Sequence, residues 1–126
     1  MFRLFKSDKK YPPFAALNSY AYKGSYFVRC APWLWVGNYA TAFAIKDDKP
    51  TMITMDPWPQ SIFLAANGQM TVSEYVYFTA SQYSGDIPEL LDAIIVQELD
   101  KLIGLKIVEL SLIQTDPKPE HDKPGK

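Results

Sequence analysis

At 126 residues the chain is long enough for one domain with its own core, and too short for two unless both are stripped down. A hydrophobic share of 48% beside a charged share of 21% excludes a wholly disordered chain, because enough apolar surface is present to offset the entropy of ordering. A net charge of -1 excludes the broad cationic footprint of a protein that neutralises many phosphates, and a single cysteine, Cys30, excludes an internal disulfide and a thiolate zinc site.

In chain order, residues 1–10 carry Phe2, Leu4 and Phe5 among Arg3, Lys6, Lys9 and Lys10 without an apolar run, which reads as a flexible basic N-terminus and not a secretory signal. A single α+β domain is expected over 11–113, starting near Tyr11-Pro12-Pro13, where two prolines favour extended backbone. Strands are predicted over Ser25–Cys30, Trp33–Val36, Tyr39–Ile45 and Thr51–Met55, all rich in aromatic and β-branched residues. Gly37-Asn38 is a two-residue hairpin signal, and Asp47-Asp48-Lys49-Pro50 reads as a longer turn whose proline bars the ladder from continuing. Alternation puts Tyr39, Thr41, Phe43 and Ile45 on one face and Ala40, Ala42 and Ala44 on the other, where small side chains let a second layer approach. Trp33 and Trp35 share a face while Leu34 and Val36 take the opposite one, so this strand needs either burial on both sides or a partner.

Asp56-Pro57-Trp58-Pro59 ends the sheet and opens a short helix over Pro59–Ala66, which Asn67-Gly68 stops; a hairpin around Asn67-Gly68 is the alternative. Thr71-Val72-Ser73-Glu74 is a capping box that favours the helical reading and starts a second helix running to Tyr83. A third helix is predicted from Asp86-Ile87-Pro88-Glu89 to Gly104, with apolar residues at helical spacing. Alternation through Val108, Leu110 and Leu112 makes Leu105–Ile113 a final strand, and 114–126, which lacks apolar residues to bury, is expected to be a disordered tail. The expected architecture is an antiparallel strand meander, three helices in winged-helix order, and a C-terminal strand.

The stretch Ile62-Phe63-Leu64-Ala65-Ala66-Asn67-Gly68-Gln69-Met70-Thr71-Val72-Ser73-Glu74, followed by the Ile/Leu-rich helix Leu90–Ile103, resembles the PqqD-type domains. These are winged-helix peptide chaperones whose relatives recognise leader peptides. The resemblance covers Trp33 to about Ile103, with its specific part at Gly68–Glu74. It implies a peptide added as a strand to the sheet edge, in a groove against the third helix. The extra N-terminal residues through Cys30 and the final strand depart from that pattern, and either could cover the groove.

On the third helix the apolar positions sweep well beyond the ~100° that one packed face needs, so part of the stripe must meet a second surface. The chain's own N-terminal segment or sheet, a dimer mate and a ligand peptide are the possible occupants. Asp86, Glu89, Asp92, Glu98 and Asp100 stand against Lys101 alone, a balance that argues against nucleic acid, since a recognition helix presents basic or amide side chains. Glu98 falls inside the apolar stripe near the helix end, where it either pairs with Lys101 or Lys106 or marks a site.

The only histidine, His121, lies in the expected tail, so neither a preorganised Cys-His pair nor a histidine metal cluster is expected, and Asp47, Asp48 and Asp56 are explained by a turn and a cap. No catalytic residue, cofactor or metal is expected. The expected function is a non-catalytic, cytoplasmic peptide- or protein-binding module without a membrane span. Its partner would dock beside the third helix, through Leu91, Ile95, Val96 and Glu98, or on the sheet edge beside Trp33 and Trp35. A homodimerising structural protein and a winged-helix DNA-binding regulator are the competing readings. Filling of the helix groove by the same chain would remove the first docking mode.

Overall fold

The computed structural model describes residues 10–125, so most of the expected flexible N-terminus lies outside the described residues. The elements are α1 (Ala15–Asn18), β1 (Tyr26–Arg29), β2 (Trp33–Val36), β3 (Tyr39–Lys46), β4 (Lys49–Thr54) and α2 (Pro57–Ala65). They continue as β5 (Asn67–Thr71), α3 (Val72–Ser81), α4 (Leu91–Gly104), β6 (Val108–Ser111) and α5 (Pro119–Asp122). The fold is α+β with antiparallel strands, and the strands form two three-stranded sheets, ordered β2-β3-β4 and β5-β1-β6.

The first predicted strand therefore leaves the meander. Cys30-Ala31-Pro32 separates it from β2, and Pro32 has no amide to donate to a ladder. β1 instead sits between two distant segments, with Val28 opposite Asn67 and Phe27 opposite Leu110. The meander carries the expected turn at Gly37-Asn38, with Gly37 at φ 61. Its second turn is tighter than predicted: Asp47 and Asp48 both adopt positive φ, and the ladder runs on through Ile45 opposite Pro50. Pro50 is tolerated because β4 is an edge strand, where one side needs no donor.

α2 begins at Pro57, in the first turn, where a missing amide costs nothing. Between α2 and α3 the chain forms the short strand β5, which neither sequence reading predicted in this form. The capping box then starts α3 as expected: Thr71 Oγ1 accepts from the Glu74 amide at 3.1 Å, and the Thr71 amide donates to Glu74 Oε1 at 2.8 Å. α4 starts at Leu91 and not at Asp86, because the Leu91 amide first closes a turn onto the Pro88 carbonyl at 3.2 Å. It ends at Gly104, as expected, with Leu105 as its cap. Lys106 takes the left-handed position, φ 64, while the Lys106 and Ile107 amides return to the Ile103 and Leu102 carbonyls.

α4 is the axis of the core, packed by α1, α2, α3 and β6. Leu91, Ile95, Leu99 and Leu102 meet Leu17, Ile62, Phe63 and Val76 there. The surplus apolar surface of the helix is thus covered by the chain itself, in part by α1, an element the sequence did not announce. Docking of α1 includes a polar anchor: the buried Asp92 carboxylate accepts the Leu17 amide at 2.9 Å, and Asp100 accepts the Tyr20 hydroxyl at 2.7 Å. Asp92→Ala is expected to destabilise the protein by ~1–3 kcal/mol, because the Leu17 amide loses its acceptor in a buried setting; urea unfolding of the two chains measures it.

Residues 114–125, expected to be disordered, return across the β5-β1-β6 sheet. The Thr115 amide donates to the Gly68 carbonyl at 3.1 Å, and the Gly125 amide to the Trp33 carbonyl at 2.6 Å. Composition misled here because this segment is held mainly by polar and backbone groups, which an inventory of apolar side chains does not register. Among the described residues no helix is long and apolar enough to cross a membrane.

Candidate functional site

Leu91 and Ile95 are fully buried in the core, so neither can meet a partner. Val96 is half-buried, and Glu98, also half-buried, pairs with Lys101 at 3.2 Å. The helix groove is filled from the same chain, which removes that docking mode. Trp33 is 5% exposed and stacks edge-on against Phe63 of α2, with ring centroids 5.6 Å apart. Trp35 lies against Trp33 at the sheet margin and is 44% exposed, so the two tryptophans share a face but not an environment.

The β2-β3-β4 register sorts the remaining side chains. Trp33, Ala42 and Ile53 lie opposite one another, as do Trp35 and Ala40, and this face meets the core through buried Ala40 and Ala42. The alanine row does let α2 approach: Gln60 Oε1 accepts the Ala40 amide at 2.7 Å. On the other face Val36 lies opposite Tyr39, Phe43 opposite Met52 and Ile45 opposite Pro50. Val36, Tyr39, Phe43, Ile45 and Met52 are all between 37% and 64% exposed. Thr41 is buried on that side, with its hydroxyl 3.4 Å from that of Thr54.

Exposed apolar residues scattered singly are ordinary, whereas five on one face of a small sheet form a patch. Towards the β3–β4 turn the patch borders a groove of about 620 Å³, lined by Ala31, Pro32, Phe43, Ile45, Pro50 and Met52 among others. β4 bounds the sheet. Among the described residues, no backbone hydrogen bond from outside the sheet ladder reaches β4. The sequence had placed Tyr39, Phe43 and Ile45 on a common face, but it took the register to add Val36 and Met52.

A second cluster centres on Arg29, which composition gave no reason to single out. Its buried guanidinium donates to the Phe63 and Leu64 carbonyls, at 3.2 and 2.8 Å, where α2 ends. It also donates to the His121 and Asp122 carbonyls, at 3.1 and 3.0 Å, and pairs with the Asp122 carboxylate at 3.3 Å. Burial lowers its pKa, and Asp122 opposes that shift.

Beneath the returning tail lies a cavity of about 620 Å³ whose walls include Val28, Cys30, Val108, Leu110, Lys106 and His121. The lone cysteine and lone histidine therefore line one cavity, a juxtaposition excluded from the sequence only because the tail was read as disordered. The Cys30 thiol donates to the Lys106 carbonyl at 3.3 Å. Burial, and then the Glu109 charge, push its pKa up to about 11, so it stays protonated at neutral pH and is a poor nucleophile. Alkylation of Cys30 by iodoacetamide is expected to keep accelerating up to pH about 11, whereas an ordinary thiol with a pKa of ~8.5 levels off sooner. Because the folded pKa is raised, the associated stability is present below the unfolded thiol's pKa and is lost as pH climbs through about 11.

No protein family, curated protein or solved structure matches the chain.

Proposed function

We propose that this domain is a non-catalytic peptide- or protein-binding module that takes an extended segment of its partner on the β4 edge, with alternate side chains lying over the outer face of the sheet. The observation that carries this reading is the row of exposed apolar residues, Val36, Tyr39, Phe43, Ile45 and Met52, on a sheet whose edge strand β4 has an outer side that no described segment pairs. An added strand would gain main-chain hydrogen bonds worth ~0.5–1.5 kcal/mol each, while its apolar side chains would gain up to ~1.5–3 kcal/mol each on full burial. The likeness to PqqD-type domains supports strand addition, but with the helix groove closed the edge and outer face remain as the seat. The acid-rich α4 favours a protein partner over nucleic acid.

Selection from a displayed library of random linear peptides tests the proposal. The full chain is expected to enrich peptides with alternating apolar residues. A chain carrying Met52→Lys should lose that enrichment with unfolding stability changed by ~0.5 kcal/mol or less, because Met52 is 58% exposed on an edge strand. Identical enrichment by both chains would overturn the reading.

A further inference from the structure

The C-terminal segment is held as a peptide ligand is held. At one end the Thr115 amide donates to the Gly68 carbonyl at 3.1 Å, Gln114 Nε2 donates to the Gln69 carbonyl at 3.1 Å, and Gln69 Nε2 reaches the Thr115 carbonyl and Asp116 Oδ1 at 3.2 and 3.0 Å. At the other, the His121 carbonyl accepts from Arg29 Nε and Trp33 Nε1, both at 3.1 Å, Asp122 accepts from Arg29, and the Gly125 amide donates to Trp33. The segment adds almost no apolar burial: none of the core side chains comes from 114–125. Its grip is therefore local and polar, the kind that opens well before the core does.

Immediately before it the chain turns at Leu112 and Ile113. These are the two most exposed large apolar side chains among the described residues, at 89% and 71%. The turn is closed only locally, by the Ser111 hydroxyl against the Ile113 carbonyl and amide at 2.7 and 3.3 Å. A closed monomer gives these two side chains no function. Fully extended, residues 114–125 reach about 40 Å, far enough to meet a neighbouring molecule.

We propose that the C-terminal segment exchanges between two copies of this chain, each laying residues 114–125 across the Gly68, Arg29 and Trp33 seat of the other, while Leu112 and Ile113 of the two copies pack together at the crossing. The occupant is a second copy because the seat already fits this segment atom for atom. Exchange conserves every contact of the closed form and adds only the crossing. Without that addition the closed monomer prevails, since the tether holds the segment near its seat at an effective concentration of ~1 mM. The two-fold arrangement is self-limiting, so the product is a closed dimer and not a fibre. The β4 edge stays free in it, and the proposal stands independently of the docking surface above.

Two full-length chains test it, one carrying Gln69→Cys and the other Asp116→Cys, both with Cys30→Ala. Gln69 and Asp116 touch through a 3.0 Å hydrogen bond, so exchange favours the disulfide between these two chains over the homodisulfides that chance collision of exposed cysteines also forms. Mixed at concentrations approaching ~1 mM and mildly oxidised, they are expected to give a covalent heterodimer well in excess of its statistical share beside the homodimers, and Leu112→Ser with Ile113→Ser in both chains should lower that excess at least ~10-fold. A heterodimer at no more than its statistical share, where one chain bearing both cysteines closes the bond internally, would overturn exchange. So would an unmodified chain that sediments as a monomer over the same concentration range, whatever the cysteine chains do.

Discussion

Arg29→Met is expected to destabilise the protein by ~3–5 kcal/mol, the largest loss foreseen for any single side chain. The guanidinium is buried and makes hydrogen bonds to four carbonyls and one carboxylate, so its removal strands acceptors on two segments at once. At the Phe63 and Leu64 carbonyls it stands where α2 presents its negative end, and its charge complements the helix dipole. It also lies 5.8 and 5.9 Å from the centroids of the Trp33 and Phe63 rings, close enough for a cation–π contribution. Methionine preserves much of the volume and none of the donors. Arg29→Lys should recover only a minor part of the loss, because a compact ammonium cannot reach both the α2 carbonyls and the tail in one fork. Guanidinium chloride unfolding of the three chains reads the order directly: wild type, then lysine, then methionine.

Gly68→Ala is expected to cost ~2–3 kcal/mol and to release the tail from β5. Two independent reasons act at this position. Its φ of 79 lies in the left-handed region, where an alanine is strained by ~1–2 kcal/mol. In addition, a Cβ there would overlap the carbonyl oxygen of Thr115, so the crossing chain must move away and lose its hydrogen bonds to Gly68 and Gln69. Amide exchange separates the two effects. The Thr115 amide should lose its protection in Gly68→Ala, while amides within α4 should report only the global loss of stability.

The local grammar of the chain was legible wherever one short stretch determines its own shape. Thr71 to Glu74 satisfies its own amides in a capping box, Gly37-Asn38 closes its own turn, and the alternation in Tyr39 to Ile45 fixes its own two faces. What escaped was decided by distant partners. β1 reads as a fourth meander strand until its pairing with 67–71 and 108–111 is known. Asn67–Thr71 has little β propensity and becomes a strand because β1 needs a neighbour. α1 is one helical turn whose buried Leu17 amide is satisfied by Asp92, 75 residues away. The width of the apolar stripe on α4 did signal that something would cover it, but no local feature said that the cover was Leu17 and its neighbours.

The candidate site divides along the same line. Leu91 and Ile95, candidate docking residues, are covered by α1 and α2, whereas Trp35, which the sequence leaves open between core and partner surface, is 44% exposed at the sheet margin. Arg29 became visible only through its carbonyl partners, because a lone arginine at the end of a strand carries no sequence signal.

The central claim is that a partner peptide pairs with β4 and lies over the outer-face side chains beside that edge, Met52, Phe43 and Ile45. The most direct measurement is a titration of the isotope-labelled full chain with a peptide enriched in the library selection, followed amide by amide and methyl by methyl. The account predicts that shifts and exchange protection concentrate in β4, including the Met52 and Thr54 amides, and in the side chains of that outer face. Shifts centred instead on α4, or on Arg29 and the C-terminal segment with β4 unchanged, would contradict it.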